Sequence, residues 1–389
     1  MLIGISVLSV LGILVLHMLI PTMLNGFQRH GRGLETLWND EYGVSLCLDR
    51  LQLCEFYRRP LMYRLQMQLF TWGIPYQFSF VSISWTALFL SGLLLCDIGK
   101  QLGLLAKQCP WVLMVYYTHF TIVFAFFDSM STYDEPLMYL CLTLAFSLLL
   151  RKGLWYSFPF FLLAGISRES SFFFLPLLFF YDFGQSLRSR LVFCVSLLVV
   201  YMLYLHWYLP PVLAAESKTF MWQNRPFAWK QNFRNGYEAI QSLLCMFLST
   251  GIPAFLLYKM RRAMDKFDKR LPLLRFTLWL LLINNLIVLT LGLAAEARLF
   301  ALPLILAWPL LPFFLRYYHL EIRGKTAGFW MRFTLVFLVW AAMIHWGYRC
   351  YESNVYAAYL FKLYALVYGM SLYLLWTCSE RRETVTVAG

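Results

Sequence analysis

Residues 259–294 read KMRRAMDKFDKRLPLLRFTLWLLLINNLIVLTLGLA, and this stretch decides the fold. Its first half crowds Lys259, Arg261, Arg262, Lys266, Lys269, Arg270 and Arg275 into residues 259–275. The run 272–294 that follows is apolar almost throughout, long enough to cross a hydrocarbon core about 30 Å thick. Short loops rich in Lys and Arg stay on the cytoplasmic side of a membrane. The stretch therefore reads as a cytoplasmic loop leading into a membrane span, and it anchors the side of every other loop.

The rest of the chain repeats the pattern. Apolar runs occupy 2–24, 78–95, 110–127, 134–150, 191–212, 239–258, 272–294, 299–315, 329–347 and 356–377, with a further apolar block at 155–181 interrupted by Ser167-Arg168-Glu169-Ser170. Of the 389 residues 60% are hydrophobic and only 14% charged, with a mean hydropathy of +0.62. Soluble domains carry about 25% charged residues. This composition excludes a soluble enzyme, a nucleic-acid-binding protein, a disulfide scaffold and a coiled coil. The start of the chain has neither a basic segment nor a small-residue cleavage site, so 2–24 reads as a retained first span. The nine cysteines form no C-x-x-C pair and mostly sit in or beside apolar runs, as buried thiols do; Cys47 and Cys54, in a polar segment, are the one pair for which a disulfide is open.

Walking outward from 259–275 puts 316–332, the tail with Arg381 and Arg382, and 182–190 inside, and 213–238 outside. Walking forward from a cytoplasmic N-terminus puts 25–77 and 128–133 outside, and 96–109 and 151–154 inside. The two walks agree only if 155–181 is a hairpin of two short helices that starts and ends on the cytoplasmic side, with Arg168-Glu169 at its tip. On this topology the cytoplasmic loops hold 19 Lys and Arg against 7 Asp and Glu, and the remainder 14 against 13. The net charge of +13 is then a topology signal, and no anionic partner is needed to explain it. The expected fold is all-α: a single integral membrane domain over 1–389, a polytopic helical bundle of about 10–11 spans plus one broken, re-entrant hairpin at 155–181.

The external side gathers the unusual polar residues. The long loop 25–77 contains Leu37-Trp38-Asn39-Asp40-Glu41-Tyr42-Gly43, an acidic pair among aromatics, and then Arg59-Pro60-Leu61-Met62-Tyr63-Arg64-Leu65, where Leu61, Leu65 and Leu69 have the spacing of a helix lying in the interface. A solvated loop with ordinary charges explains the same composition equally well. In the turn before Pro136, Asp134-Glu135 suits a helix start, where acids and Pro at the first position are favoured. Arg168-Glu169 lies in apolar surroundings, where ionisable residues are costly and mark sites; it reads either as mutual neutralisation or as an arginine held for a phosphate, with Glu169 orienting it. Glu296 and Arg298, two apart, cannot share a helix face and should meet partners elsewhere. Asn284 and Asn285 are expected to make interhelical hydrogen bonds. The loop 213–238 mixes Lys218, Arg225, Lys230 and Arg234 with Trp222, Phe227 and Trp229, which suits interfacial anchoring or a lipid-linked anion. The six histidines are scattered with no HExxH or paired spacing, and no P-loop, GxGxxG or GxSxG element occurs.

In layout over about residues 1–310, the chain resembles the GT-C superfamily of polytopic glycosyltransferases. The features that carry the resemblance are the internal N-terminus, the acids Asp40-Glu41 in the first external loop, the tract Arg59–Arg64 before the second span, the broken helices around Ala164-Gly165-Ile166-Ser167-Arg168-Glu169, and Glu296-x-Arg298 followed by Pro303. The acidic element departs from a clean Asp-x-Asp. The resemblance implies a GT-C-like fold and transfer of a sugar from a polyprenyl-phosphate donor to an acceptor hydroxyl of a glycan, lipid or protein on the external face. It implies Asp40 or Glu41 as general base, with Arg168, Arg298 and Arg64 binding the donor phosphate. Glu169, Glu296, Asp134 and Tyr42 would support them. No cofactor is required; a divalent cation bridging phosphate and carboxylates stays open. The expected setting is a multi-pass protein of the bacterial inner membrane, ahead of the endoplasmic reticulum, with both termini cytoplasmic. Two alternatives use the same residues: a transporter or lipid-linked-oligosaccharide flippase, and a polymerase or ligase acting on polyprenyl-linked glycans.

The hairpin argument has a direct check. A cysteine at position 168 in an otherwise cysteine-free chain is expected to react with an impermeant thiol reagent added outside; reaction only from the cytoplasmic face overturns the hairpin.

Overall fold

The computed structural model describes residues 1–19, 59–125, 134–208, 226–266, 268–292, 294, 297–321, 326–347 and 355–381. Asp40, Glu41, Tyr42, Cys47, Cys54 and Glu296 lie outside the described residues. The described residues are almost wholly helical, and among them six helices are long and apolar enough to cross a membrane. It divides into two compact units, residues 1–227 and 228–389.

Among the described residues the first unit contains α1 (Leu2–Leu19), α2 (Pro60–Thr71), α3 (Tyr76–Gln101), α4 (Cys109–Tyr117), α5 (Phe120–Ala125), α6 (Glu135–Arg151), α7 (Leu154–Ser167), α8 (Leu177–Phe180) and α9 (Leu187–Tyr208). Its centre is α6, which packs on α3 and α7; most of its side chains are buried. The 17 residues of α6 carry two charges, Glu135 and Arg151, one in each terminal turn, where the helix dipole favours those signs. The run 110–127, expected as one span, is broken at Thr118–His119 into α4 and α5.

The segment 155–181 folds as helix, break and return. Proline stands inside α7 at Pro159, and α7 stops at Ser167, where Arg168 turns extended (φ −163°, ψ 126°). A 3₁₀ turn, Glu169–Phe174, leads back through α8. Gly165 permits the reversal: a Cβ there would lie 2.4 Å from the Phe172 ring, so only glycine lets Phe172 fold against α7. Phe146 of α6 then meets Phe161 and Phe174 edge-on, at 5.6 and 5.3 Å between ring centres. The return brings Gln185 within 3.6 Å of the Cβ position of Gly153, so both ends of the segment lie together, opposite its tip. At that same end Asp97 accepts from Ser147 (2.6 Å), Gln101 (2.6 Å) and Arg151.

Helix α2 forms where the leucine spacing predicts it, but its buried residues are not the leucines. Pro60, Met62 and Gln66 are buried, with Met62 against Leu137, while Leu65 stays exposed. Leu61 packs beside Met62 against Leu137 and Leu69 is half-buried, so of the leucine stripe only Leu65 faces outward.

The second unit contains α10 (Pro226–Asn232), α11 (Gly236–Ala263), α12 (Leu271–Leu291), α13 (Leu304–Leu310), α14 (Phe314–Tyr317), α15 (Ala327–Gly347) and α16 (Val355–Cys378). The run 299–315, expected as one span, is a chain of short turns, because Pro303, Pro309 and Pro312 interrupt the backbone ladder. Asn284 donates to Leu299 O (3.0 Å) and Asn285 to Thr250 Oγ1 (3.0 Å), the interhelical bonds their mid-span positions called for. Asn232 caps the end of α12: its amide donates to Leu289 O (3.0 Å) and Gly292 O (2.7 Å), and its oxygen accepts from Ala294 N (2.9 Å).

One end of this unit gathers the basic loop 259–270, the segment 316–321 and residues 379–381. Arg270 donates to Asp268 and stacks on Phe313 (4.5 Å), with Arg316 on the same ring (4.8 Å). Burial alone would push the Asp268 carboxyl up; bonds from the Arg270 side chain and backbone and from Tyr317 outweigh it and hold the group below the usual carboxylate range. Two strands, β1 (Tyr318–Leu320) and β2 (Ser379–Arg381), pair antiparallel here, Tyr318 opposite Arg381 and His319 opposite Glu380.

Helices α15 and α16 touch through Gly369, where a Cβ would stand 2.1 Å from Trp340 Nε1, itself donating to Ala365 O at 2.9 Å. Gly369→Ala is expected to destabilise by about 1–3 kcal/mol through this overlap, read as a lowered Tm in detergent. Gly328→Ala, whose nearest neighbour is 3.8 Å away, serves as the neutral comparison.

Candidate functional site

Three helix ends of the first unit meet at the tip of the 155–181 segment: the start of α2, the start of α6 and the break after α7. Each brings charge. Arg59 stands immediately before Pro60, Asp134 and Glu135 immediately before Pro136, and Arg168 and Glu169 at the break. The local reason is common to all three. A helix start or break leaves backbone groups unpaired, and charged residues placed there do not interrupt an apolar span.

The side chains converge. Arg59 donates through Nη1 to Asp134 Oδ2 (3.0 Å) and through Nε and Nη2 to Glu169 Oε2 (2.9 and 2.8 Å). Arg168 donates through Nη1 to Asp134 Oδ1 (3.4 Å) and to Glu135 Oε1. Asp134 therefore bridges two guanidiniums, one on each oxygen. The side chains of Asp134 and Glu135 are 3% exposed, and both arginines 15%. With all five ionised the cluster carries a net charge of −1.

Around this cluster the polar lining is incomplete. Ser167 and Ser171 flank the Arg168-Glu169 step and are buried, and among the described residues their hydroxyls have no hydrogen-bond partner. Gln66, fully buried on α2, lies on the helix that Arg59 opens.

The helix-start reading of Asp134-Glu135 holds for the backbone and not for the Asp134 side chain. Helix α6 does begin at Glu135 with Pro136 in its first turn, yet Asp134, at the N-cap position, makes no side-chain capping bond. Its carboxylate is turned to Arg59 and Arg168 instead. Within the Arg168-Glu169 pair, each residue has a partner from another element: Arg168 takes Asp134 and Glu135, and Glu169 takes Arg59.

The remaining expected site residues fall elsewhere. Arg64, exposed on α2, donates to Tyr208 Oη at 3.4 Å and lies over that ring at 5.4 Å. Arg59 and Arg64 are five positions apart, so the two point to different sides of the helix. Arg298 belongs to the 3₁₀ turn Ala297–Phe300 of the second unit, with its side chain outside what is described. Asp40, Glu41, Tyr42 and Glu296 are outside the described residues as well. Two members of the cluster, Arg59 and Glu135, were not among the expected site residues. The signal for them was positional: each stands immediately before a proline in the first turn of a helix.

Fold and site together define a class: an all-α polytopic protein of the multi-pass membrane kind, with a buried arginine–carboxylate cluster at one end of a helical bundle. No family model matches the chain, and no curated protein or solved structure matches it.

Removing one member of a buried ion pair strands its partner in a poorly solvated place, at about 3–5 kcal/mol. Asp134→Asn is expected to lose stability in that range. Glu169→Gln should lose less, because Glu169 is 26% exposed. Unfolding followed in detergent checks the order; an unchanged Asp134→Asn protein would show that the bridge contributes nothing.

Proposed function

We propose that the chain is an integral membrane glycosyltransferase that takes a sugar from a polyprenyl-phosphate donor and passes it to an acceptor hydroxyl at the external face. The observation that carries this reading is the convergence of Arg59, Asp134, Glu135, Arg168 and Glu169 from three segments, all of which the charge-sorted topology assigns to the external side. The two guanidiniums of this cluster suit a reaction whose leaving group is a lipid phosphate, provided that the phosphate takes the place of a carboxylate on an arginine, since the three carboxylates otherwise outweigh them. Such a reaction needs fixed positive charge where negative charge develops, and it does not need an acid to protonate an alkoxide. Guanidinium groups have the donor geometry for phosphate, and a carboxylate partner fixes the fork before the substrate arrives.

In the reaction the acceptor oxygen attacks the anomeric carbon as the bond from that carbon to the phosphate oxygen breaks. Its proton passes to a carboxylate, and polyprenyl phosphate leaves with the bonding pair, with inversion at carbon. Asp40 or Glu41 is the base. Arg168 meets the phosphate, with Arg59 joining it in place of the exposed Arg64, and Arg298 assists. Asp134, Glu135 and Glu169 orient the arginines. The acceptor is a glycan, lipid or protein, and the setting is the bacterial inner membrane with both termini inside.

A transporter or flippase is the second reading, because the ionic cluster lies at the break of a broken helix, as substrate sites of transporters do. The two separate cleanly. Purified protein given a polyprenyl-phosphate sugar and an acceptor is expected to release polyprenyl phosphate. The double variant Asp40→Asn, Glu41→Gln should be slower by about 10²–10⁴-fold, as for loss of a general base. Full activity in that variant overturns the assignment of the base, and flux in proteoliposomes without release of polyprenyl phosphate overturns the transferase reading.

A further inference from the structure

We propose that His319, Glu321 and Glu380 form a binding site for a divalent transition-metal ion of the zinc class, on the outer face of the β1–β2 ribbon. The inference is independent of the transferase reading and rests on the register of the two strands.

In an antiparallel pair, side chains alternate between faces, and residues directly opposite share a face. His319 is opposite Glu380. Glu321 is two residues beyond His319, and its N–H continues the ladder to Cys378 O at 2.9 Å. The three therefore project from one side. Their neighbours project from the other side and fasten the ribbon to the end of α11. Tyr318 Oη donates to Lys259 O (3.0 Å), Lys259 Nζ donates to Ser379 Oγ (2.6 Å), and Arg381 donates to Ala263 O (3.2 Å). One face is docked and the other is presented, with His319, Glu321 and Glu380 all exposed on it.

The donor set fits the chemistry. One imidazole nitrogen and two carboxylate oxygens lie within 4.8 Å of one another, and His319 Nε2 is 3.8 Å from Glu321 Oε2. Zinc holds nitrogen and carboxylate oxygen at about 2.0–2.2 Å, which sets tetrahedral ligands about 3.3–3.6 Å apart. Exposed side chains on a fixed backbone reach that spacing by small rotations. The imidazole selects against magnesium and calcium, which prefer oxygen alone. Two carboxylates neutralise the ion, and water completes its shell. The consequence is structural. His319 and Glu321 precede α15 and Glu380 follows α16, so a bound ion clamps the segment after the last helix to the body of the second unit.

The test uses the full-length protein in detergent, titrated with zinc chloride by calorimetry. Wild type is expected to bind one ion at this site, and the double variant His319→Ala, Glu380→Gln to bind it at least about tenfold more weakly, since two of three ligands are gone. The substituted side chains are exposed, and circular dichroism and Tm of the variant should match wild type without metal. A second readout follows the clamp: zinc should slow tryptic cleavage at Arg381 in wild type and leave the variant's rate unchanged. A flat titration overturns the proposal, as does a variant that binds like wild type, or cleavage at Arg381 that zinc does not slow.

Discussion

Asp134 holds the first unit's charged end together. Its two oxygens accept from two arginines, Arg59 ahead of α2 and Arg168 after α7, while its own backbone opens α6. Three chain segments are thus tied to one carboxylate that is almost completely removed from solvent. In such a place each charge depends on the others. An unpaired guanidinium or carboxylate there would cost several kcal/mol, so the helix ends are obliged to stay in register. That requirement places Glu169 beside Arg59 and leaves Ser167 and Ser171 lining the break.

The rest of the unit is arranged to permit this meeting. Helices α6 and α7 run antiparallel, so the start of one and the finish of the other reach the same level. Gly165 lets Phe172 fold back, and Phe146 packs on both limbs of the broken segment, so the tip is held by apolar contacts beneath the charges. The second unit solves a similar problem without charge. There Asn232 and Asn284, both buried, take up the carbonyls of Leu289, Gly292 and Leu299 where the chain breaks from helix, and Asn285 joins α12 to α11 through Thr250. In an apolar medium a backbone can depart from helix only where such partners exist.

Much of the fold was legible because hydropathy is a local property. The six helices over 76–101, 187–208, 236–263, 271–291, 327–347 and 355–378 lie where the apolar runs lie. The broken runs were less legible. Residues 299–315 are apolar enough for a span, but Pro303, Pro309 and Pro312 act on the backbone ladder and not on hydropathy, so composition overstates the helix. At α2 the leucine spacing identified the helix, but nothing local pointed to Met62 and Gln66 as its buried residues, because their neighbours come from other segments. At the site, Arg168 and Glu169 stood out as charges in apolar company, and Asp134 entered only through the resemblance. Arg59 and Glu135 passed as a loop cation and a helix-start acid, since each is ordinary in its own segment.

By itself the sequence determined that the chain is a polytopic helical protein with few charges, those charges concentrated at span ends. Apolar length and Lys/Arg placement are read by the membrane locally, with no need of tertiary contacts. Only the tertiary structure decided which charges meet. Arg59 and Glu169 are 110 residues apart and Asp134 and Arg168 are 34 apart, and they pair because helices bring chain ends to a common level. The same holds for His319 and Glu380, which become opposite partners only when two strands separated by α15 and α16 take up their register. Ionic and ligand chemistry acts over a few ångströms in space, and a distance of that kind exists only after the chain has folded.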